Sequence, residues 1–219
     1  MLYLKNCHII DEVSDYIDDI LIDSGKIKLI GKAKITNYIT EKNQEALLPD
    51  LHVQTKLDIL ELDLCNRLVM PAFVDLHFHM RNPGQEHKET LISANKAAIK
   101  GGYTDLLAMA NTNPVIDNKT LITEIIEKNN SLGMTRLLQV SAVTKGLNGK
   151  ALVDFEENRK ATRFFSDDGK NIDDEQIMRE ALLASKQHDF IILDHSEEET
   201  EMVIRNLDLV RQTGGNLHF

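Results

Sequence analysis

The sequence predicts an α/β protein whose main part is an incomplete (β/α)₈ barrel of parallel strands, with a small β domain before it. From residue 68 onward, apolar strand-like runs alternate with helical segments at a repeat of roughly 30 residues, which indicates a parallel sheet with helical crossovers. Polar side chains also stand at the ends of successive strands, as at a barrel mouth. The alternative, a doubly wound sheet, would carry a glycine-rich phosphate loop after its first strand, and this sequence has none.

The predicted N-terminal domain covers residues 1–66. Residues 1–32 mix β-branched and apolar positions around the turn signal Asp23-Ser24-Gly25, and residues 59–64 return to strand-like alternation. We expect a small β-sandwich from these runs. Residues 33–58 are polar with weak periodicity, so we predict a loop or an insertion with one or two short strands.

The predicted barrel covers residues 67–219. Its strands begin near six positions: Val69, Thr104, Arg136, Arg163, Phe190 and Asn216. Between them, helical spacing of apolar residues and glycine stop signals predict four helices, over residues 86–100, 119–132, 173–187 and 197–212. The six predicted strands correspond to strands 1–5 of a barrel and the start of strand 6. A closed barrel needs about 250 residues, so we expect a truncated chain or fragment that is inactive alone.

Composition limits the function classes. The 219 residues carry 35 acidic and 25 basic side chains, a net charge of −10, which argues against a general nucleic-acid binder. The two cysteines, Cys7 and Cys65, form no disulfide framework. No secretory signal layout or membrane-length apolar run is present, so we expect a cytoplasmic protein without a membrane partner.

The segment 75–84, DLHFHMRNPG, places His77 and His79 at the end of an apolar strand. Side chains two residues apart point to the same side of a strand, so both imidazoles would face the barrel mouth. A divalent metal could take a neutral nitrogen from each. The alternative is a pair of histidines that hydrogen-bond to the backbone, because short motifs match by chance.

Later strand ends add further candidate ligands. His195 directly follows the apolar run FIILD, a poor place for core packing. Asp167 and Asp168 precede a glycine, where aspartate commonly forms a cap or turn. Beside three histidines, a carboxylate that bridges two metals becomes the better interpretation. Strand alternation does not decide whether Asp167 or Asp168 bridges.

Arg81 and Asn111 are candidates for binding an anion. An arginine beside two metal-binding histidines is costly unless an anion pairs with it, and a guanidinium binds a carboxylate through two hydrogen bonds. Asn111 could add an amide hydrogen bond to the same group. The alternatives are a surface salt bridge for Arg81 and ordinary turn chemistry for Asn111.

Several ordered motifs resemble the dihydroorotase family. PAFVDLHFHMRNPGQEHKET resembles that family's signature, and AMANTNPV resembles its M-P-N-T-N-P loop. VTKGLNGKAL, FFSDDGKNI, ILDHSEE and GGNLHF resemble the segments at strands three to six. The resemblance covers most of residues 59–219 and implies a TIM (β/α)₈ barrel of the amidohydrolase type. Ala72 and Ala110 depart from the family pattern, where glycine and proline are usual.

The resemblance implies a zinc-dependent hydrolase of pyrimidine synthesis that interconverts dihydroorotate and N-carbamoyl-L-aspartate. His77 and His79 would bind one Zn²⁺, His195 the second, and Asp168 would bridge them. Arg81 and Asn111 would hold the substrate carboxylate, and the general acid/base aspartate would lie beyond residue 219. A second copy in a homodimer and aspartate transcarbamoylase are the two partners that the family suggests.

Two alternatives remain open from sequence. The first is a non-catalytic dihydroorotase-like interaction subunit, which would need no ligands. The second is another cyclic amidase, such as a hydantoinase or allantoinase. Some of those relatives use a carboxylated lysine as the bridging ligand, and Lys170 does not occupy that position.

Overall fold

The computed structural model describes residues 1–45, 57–197 and 199–219. They form two compact units, Met1–Pro71 and Ala72–Phe219, so the contacts divide the chain five residues after the boundary expected from sequence. None of the helices in these ranges is long and apolar enough to cross a membrane.

The first unit is built on one five-stranded sheet among its described residues. Its strands are β1 (Leu2–Ile10), β2 (Asp15–Asp23), β3 (Lys26–Ile30), β4 (Leu60–Asp63) and β5 (Leu68–Val69). Their order is β3-β2-β1-β4, and β5 also pairs with β1. The predicted turn is present, with Ser24 and Gly25 at φ 50° and 74° between β2 and β3. A β-sandwich is not seen in the described part.

The prediction of one or two short strands in residues 33–58 was wrong for the part of this segment that the structure describes. Helix α1 (Lys32–Glu45) fills the first half of that segment, and residues 46–56 lie outside the described ranges. Ile35 is fully buried in a cluster that also contains Tyr3, and Tyr38 and Ile39 pack against this cluster. Their i, i+3, i+4 spacing is helical, but it covers only one turn and its neighbours are mostly polar. The hydrophobic signal was therefore too short to indicate a helix.

The second unit alternates strands and helices as the sequence predicted. Its strands are β6 (Phe73–Phe78), β7 (Tyr103–Ala108), β8 (Arg136–Gln139), β9 (Phe164–Phe165), β10 (Ile191–Leu193) and β11 (Leu217–His218). Its helices are α2 (Leu91–Lys100), α3 (Lys119–Leu132), α4 (Phe155–Arg159), α5 (Glu175–His188) and α6 (Glu199–Thr213). The four predicted helices are present, although α2 begins five residues later than expected, after the N-cap Thr90. The five-residue α4 was not predicted.

The six strands of this unit are parallel and lie side by side in chain order. Hydrogen bonds join β6-β7-β8 and β9-β10-β11, and a parallel bridge from Ser141 to Phe165 links the two sets. This is the order of successive (β/α) repeats in a barrel. The carboxyl ends of all six strands therefore meet at one edge, where the candidate ligands lie.

The core of this unit fills the space between the strands and their covering helices. Phe155 from α4, Phe165 from β9 and Phe190 before β10 pack with ring centroids 4.3–5.2 Å apart. All three are buried. This aromatic cluster anchors β9, which is only two residues long, beneath the loop that carries Asp167 and Asp168.

Candidate metal centre

The candidate ligands leave the sheet at three strand ends. His77 lies in β6 and His79 follows it directly, Asp168 comes three residues after β9, and His195 comes two residues after β10. Asn111 lies three residues after β7. Because parallel strands end at the same edge of a sheet, residues more than 100 positions apart meet there.

Asp168 is the centre of the group. Its carboxylate oxygens lie 3.1 Å from His77 Nε2, 3.6 Å from His79 Nε2 and 3.5 Å from His195 Nδ1. The two β6 imidazoles face each other edge-on, with centroids 5.2 Å apart. Ligand atoms of His77, His79 and Asp168 lie within 4.8 Å of one another, so this group could hold a metal ion.

Asn111 orients two of these side chains. Its Nδ2 donates to Asp168 Oδ2 at 2.7 Å, and its Oδ1 lies 3.2 Å from His79 Nδ1. A ligand imidazole commonly donates its other ring nitrogen to an oxygen, which fixes the ring and leaves the facing nitrogen free to bind. The sequence prediction assigned Asn111 to the substrate, whereas the structure places both ends of its amide on candidate ligands.

The surroundings of His79 favour its neutral form. Burial lowers the pKa of its imidazole, and the positive charge of Arg81 lowers that pKa further, against the opposing effect of Asp168. A histidine must be neutral to bind a metal through nitrogen. The surroundings of His79 therefore favour the protonation state in which an imidazole can be a ligand.

The donor chemistry fits a divalent metal. His195 Nε2 is buried and has no hydrogen-bond partner among the described residues, and its nearest acidic oxygen, on Glu197, is 3.5 Å away. A buried, unpaired imidazole nitrogen is costly unless a ligand supplies the missing contact. Three imidazoles around one carboxylate match the nitrogen and oxygen ligands of zinc and similar ions.

Asp167 points away from this group. It is 4% exposed, and its Oδ1 accepts hydrogen bonds from the backbone N–H groups of Val143 (2.8 Å) and Thr144 (2.9 Å). The Thr144 hydroxyl donates to its other oxygen. The sequence did not decide which of the two adjacent carboxylates belongs to the site. In the structure, Asp168 contacts the histidines, whereas Asp167 joins the end of β9 to the backbone at Val143 and Thr144.

Arg81 lies beside the group with a free guanidinium. It is partly buried, its backbone is left-handed with φ 59°, and its side chain has no hydrogen-bond or ion-pair partner within the described parts of the chain. Non-glycine residues rarely adopt such a φ, and those that do often occur at functional sites. An unpaired cation of this kind can accept an anionic ligand.

Gly84 and Gln85, for which the sequence predicted no role in the site, join the Arg81 loop to the Asn111 loop. Gln85 Nε2 donates to the carbonyl oxygen of Asn111 at 3.1 Å. Gly84 has φ 85°, and a Cβ placed there would lie 1.8 Å from the carbonyl oxygen of Asn113. The Asn-Pro-Gly sequence signalled a turn, but it gave no sign of the loop that packs against it.

Two cavities of the second unit differ in their distance from the group. A cavity of ≈ 490 Å³ is bordered by Gly169, which follows Asp168, and by Glu197, which faces His195. A larger cavity of ≈ 700 Å³ lies between the starts of α3 and α4. Neither of these two cavities is lined by a candidate ligand itself.

Comparison with known proteins identifies the family. A family model described as "Dihydro-orotase-like" matches residues 66–217. The chain belongs to this family. It is 35% identical to a dihydroorotase of Aquifex aeolicus over 201 residues, which are 90% of this chain and 43% of that protein. It is 31% identical to a dihydroorotase of Clostridium botulinum, covering 99% of this chain and 53% of that protein.

Solved structures show the same fold beyond this dihydroorotase-like family. An L-hydantoinase (dihydropyrimidinase) from Arthrobacter aurescens superposes with a TM-score of 0.68 at 17% identity, over 99% of this chain and 51% of that one. A D-hydantoinase from a Thermus species gives the same TM-score at 20% identity. The dihydroorotase-like chain thus spans about half the length of the relatives that it matches.

Proposed function

We propose that this chain provides the metal-binding part of a dihydroorotase, which interconverts dihydroorotate and N-carbamoyl-L-aspartate. The observation that carries the proposal is the convergence of His77, His79 and His195 on the carboxylate of Asp168. Family membership and the similarity to curated dihydroorotases support the same reaction.

The residues would hold two zinc ions. His77 and His79 would bind one, His195 the other, and Asp168 would contribute an oxygen to each. When bound, such ions lower the pKa of water and polarise an amide carbonyl. Asn111 keeps Asp168 and His79 in place through its amide, so that the ligands are oriented before an ion binds.

Arg81 would bind the substrate carboxylate. Its guanidinium is free of other partners in the described chain, and a carboxylate can accept two parallel hydrogen bonds from it. The linked loops around Gly84 and Gln85 fix the backbone on either side. A substrate held at its carboxylate presents its ring amide to the candidate metal centre in one orientation, which is how positioning contributes to rate.

The proposal is tested by joining this chain to the C-terminal remainder of the Aquifex aeolicus relative and assaying purified, zinc-loaded protein. We expect hydrolysis of dihydroorotate and cyclisation of N-carbamoyl-L-aspartate, both lost in Asp168→Ala. Arg81→Met should raise KM for dihydroorotate by roughly 10-fold or more, because a charged hydrogen bond to the carboxylate is lost.

Hydantoin serves as the competing substrate because it is also a cyclic ureide, with a smaller ring and without the carboxylate. Turnover of hydantoin without turnover of dihydroorotate would show that the chain belongs with the other cyclic amidases in activity. A fusion that folds and binds zinc but acts on neither compound would support the non-catalytic alternative.

A further inference from the structure

Arg205 on α6 is bonded to the loop that carries Asp168. Its Nη2 donates to the carbonyl oxygen of Ile172 at 2.8 Å, and its Nη1 donates to that of Asp173 at 2.9 Å. These carbonyls lie four and five residues after Asp168. A planar guanidinium that bonds two consecutive carbonyls fixes both the position and the direction of that backbone.

Asn206, the next residue of α6, is bonded to the loop that carries His195. It is fully buried at 0% exposure, and its Nδ2 donates to Asp194 Oδ2 at 2.6 Å. Its Oδ1 accepts from Arg205 Nε at 3.0 Å. The hydroxyl of Ser196 donates to the same Asp194 oxygen at 2.7 Å, so residues on both sides of His195 are held.

The same two loops also contact each other directly. Asn171 Oδ1 accepts from the backbone N–H of Glu197 at 2.8 Å, and Asn171 Nδ2 lies 3.4 Å from the Glu197 carbonyl oxygen. In contrast, the closest approach between the candidate ligands His195 and Asp168 is 3.5 Å, too long for a strong hydrogen bond. Their spacing is therefore set by surrounding contacts.

We propose that Arg205 and Asn206 are positioning residues that hold His195 and Asp168 at the spacing needed to share a metal site. The inference rests on the metal-binding role proposed above, and it adds to that role a pair of residues that touch no ion. A cation at Arg205 is connected through the Asn206 amide to the anion of Asp194, so the link is charge-assisted at both ends. One turn of α6 thereby couples two loops whose contacting residues, Asn171 and Glu197, are 26 positions apart in sequence.

Two variants and a matched control test the coupling in the 219-residue chain. Asn206→Leu removes the bond to Asp194, and Arg205→Met removes the bonds to the Asp168 loop. Arg179→Met is the control because it removes a 2.6 Å hydrogen bond from α5 to Gln212 of α6 without touching either loop. The milder Arg205 variant keeps the test valid if the buried Asn206 variant does not fold.

The first measurement is hydrogen exchange without metal. We expect peptides over residues 169–173 and 194–197 to exchange at least about 10-fold faster in both test variants and at the unaltered rate in the control. The exchange rate reports on the two loops directly, because backbone amides exchange when the structure around them opens locally. Unchanged exchange, or faster exchange in only one of the two loops, would overturn the proposed coupling.

The second measurement is zinc titration, with His195→Ala defining the part of the binding that needs His195. That part should weaken by roughly 10–100-fold in both variants, as when a ligand loses its supporting hydrogen bonds. The part removed by His77→Ala, which also uses Asp168, should weaken by a smaller factor, because His77 and His79 lie outside the two loops. Zinc affinity that is unchanged in the variants, or that never depended on His195, would refute the positioning role. An unaltered chain that binds no zinc contradicts the proposed function, and the exchange result then decides on the coupling alone.

Discussion

Replacing Asp167 by alanine should destabilise the second unit, whereas the same change at Asp168 should not. Asp167→Ala leaves two buried backbone N–H groups, of Val143 and Thr144, without their acceptor. Each unpaired group costs about 1–3 kcal/mol. Part of this cost is offset because burial raises the pKa of the Asp167 carboxyl, which shows that keeping its charge inside the protein is unfavourable. We expect a net loss of about 2–4 kcal/mol in the free energy of unfolding.

Urea and thermal unfolding of metal-free protein provide the assay. A loss of this size lowers the Tm by roughly 5–15 °C in a unit of about 150 residues. Asp167→Asn should lose only about 1 kcal/mol, because its amide oxygen can still accept from both N–H groups. Asp168→Ala should stay within about 1 kcal/mol of the unaltered chain. Equal losses for Asp167→Ala and Asp168→Ala would refute the assignment of Asp167 to structure and Asp168 to the site.

Two further predictions concern a loop of the second unit and the core of the first. Gly84→Ala should lower the free energy of unfolding in urea by at least about 1–2 kcal/mol, because the added Cβ would overlap the Asn113 carbonyl. The control Gly133→Ala also has a positive φ but open space around the Cβ position, so it should cost less. Equal costs for the two variants would contradict the steric argument. Burial and the bond to Asp19 raise the pKa of Tyr3 above its usual value of about 10, so the folded state keeps the proton that the unfolded state loses. The stability advantage over Tyr3→Phe should therefore shrink as pH rises above about 10, and a constant difference between pH 8 and 11 would argue against it.

The alternation of the second unit could be predicted from sequence because each of its strands is a short apolar run and glycines end most of its helices. The spacing of His77 and His79 was equally direct, since side chains two residues apart in a strand share a face. Residues at strand ends could therefore be selected before their partners were known. The positions of the four main helices followed from the same periodicity.

Other features depend on contacts between distant segments. Strand alternation could not separate Asp167 from Asp168, because β9 is only two residues long and both carboxylates lie beyond it. The links made by Gln85 and by Asn206 were also invisible, since each polar side chain bonds to a loop about 10 or more positions away. A polar residue on a helix usually indicates a solvated face, so the burial of Asn206 gave no signal in the sequence.

Zinc titration of the purified chain, compared with His79→Ala and Asp168→Ala, tests most directly whether these side chains form a metal site. At least one tightly bound zinc ion per chain is expected. Each substitution should weaken zinc binding by more than the roughly 10–100-fold typical of losing a ligand's supporting hydrogen bond, with folding retained. Zinc affinity that is equally weak in all three proteins would show that these side chains do not form a metal site.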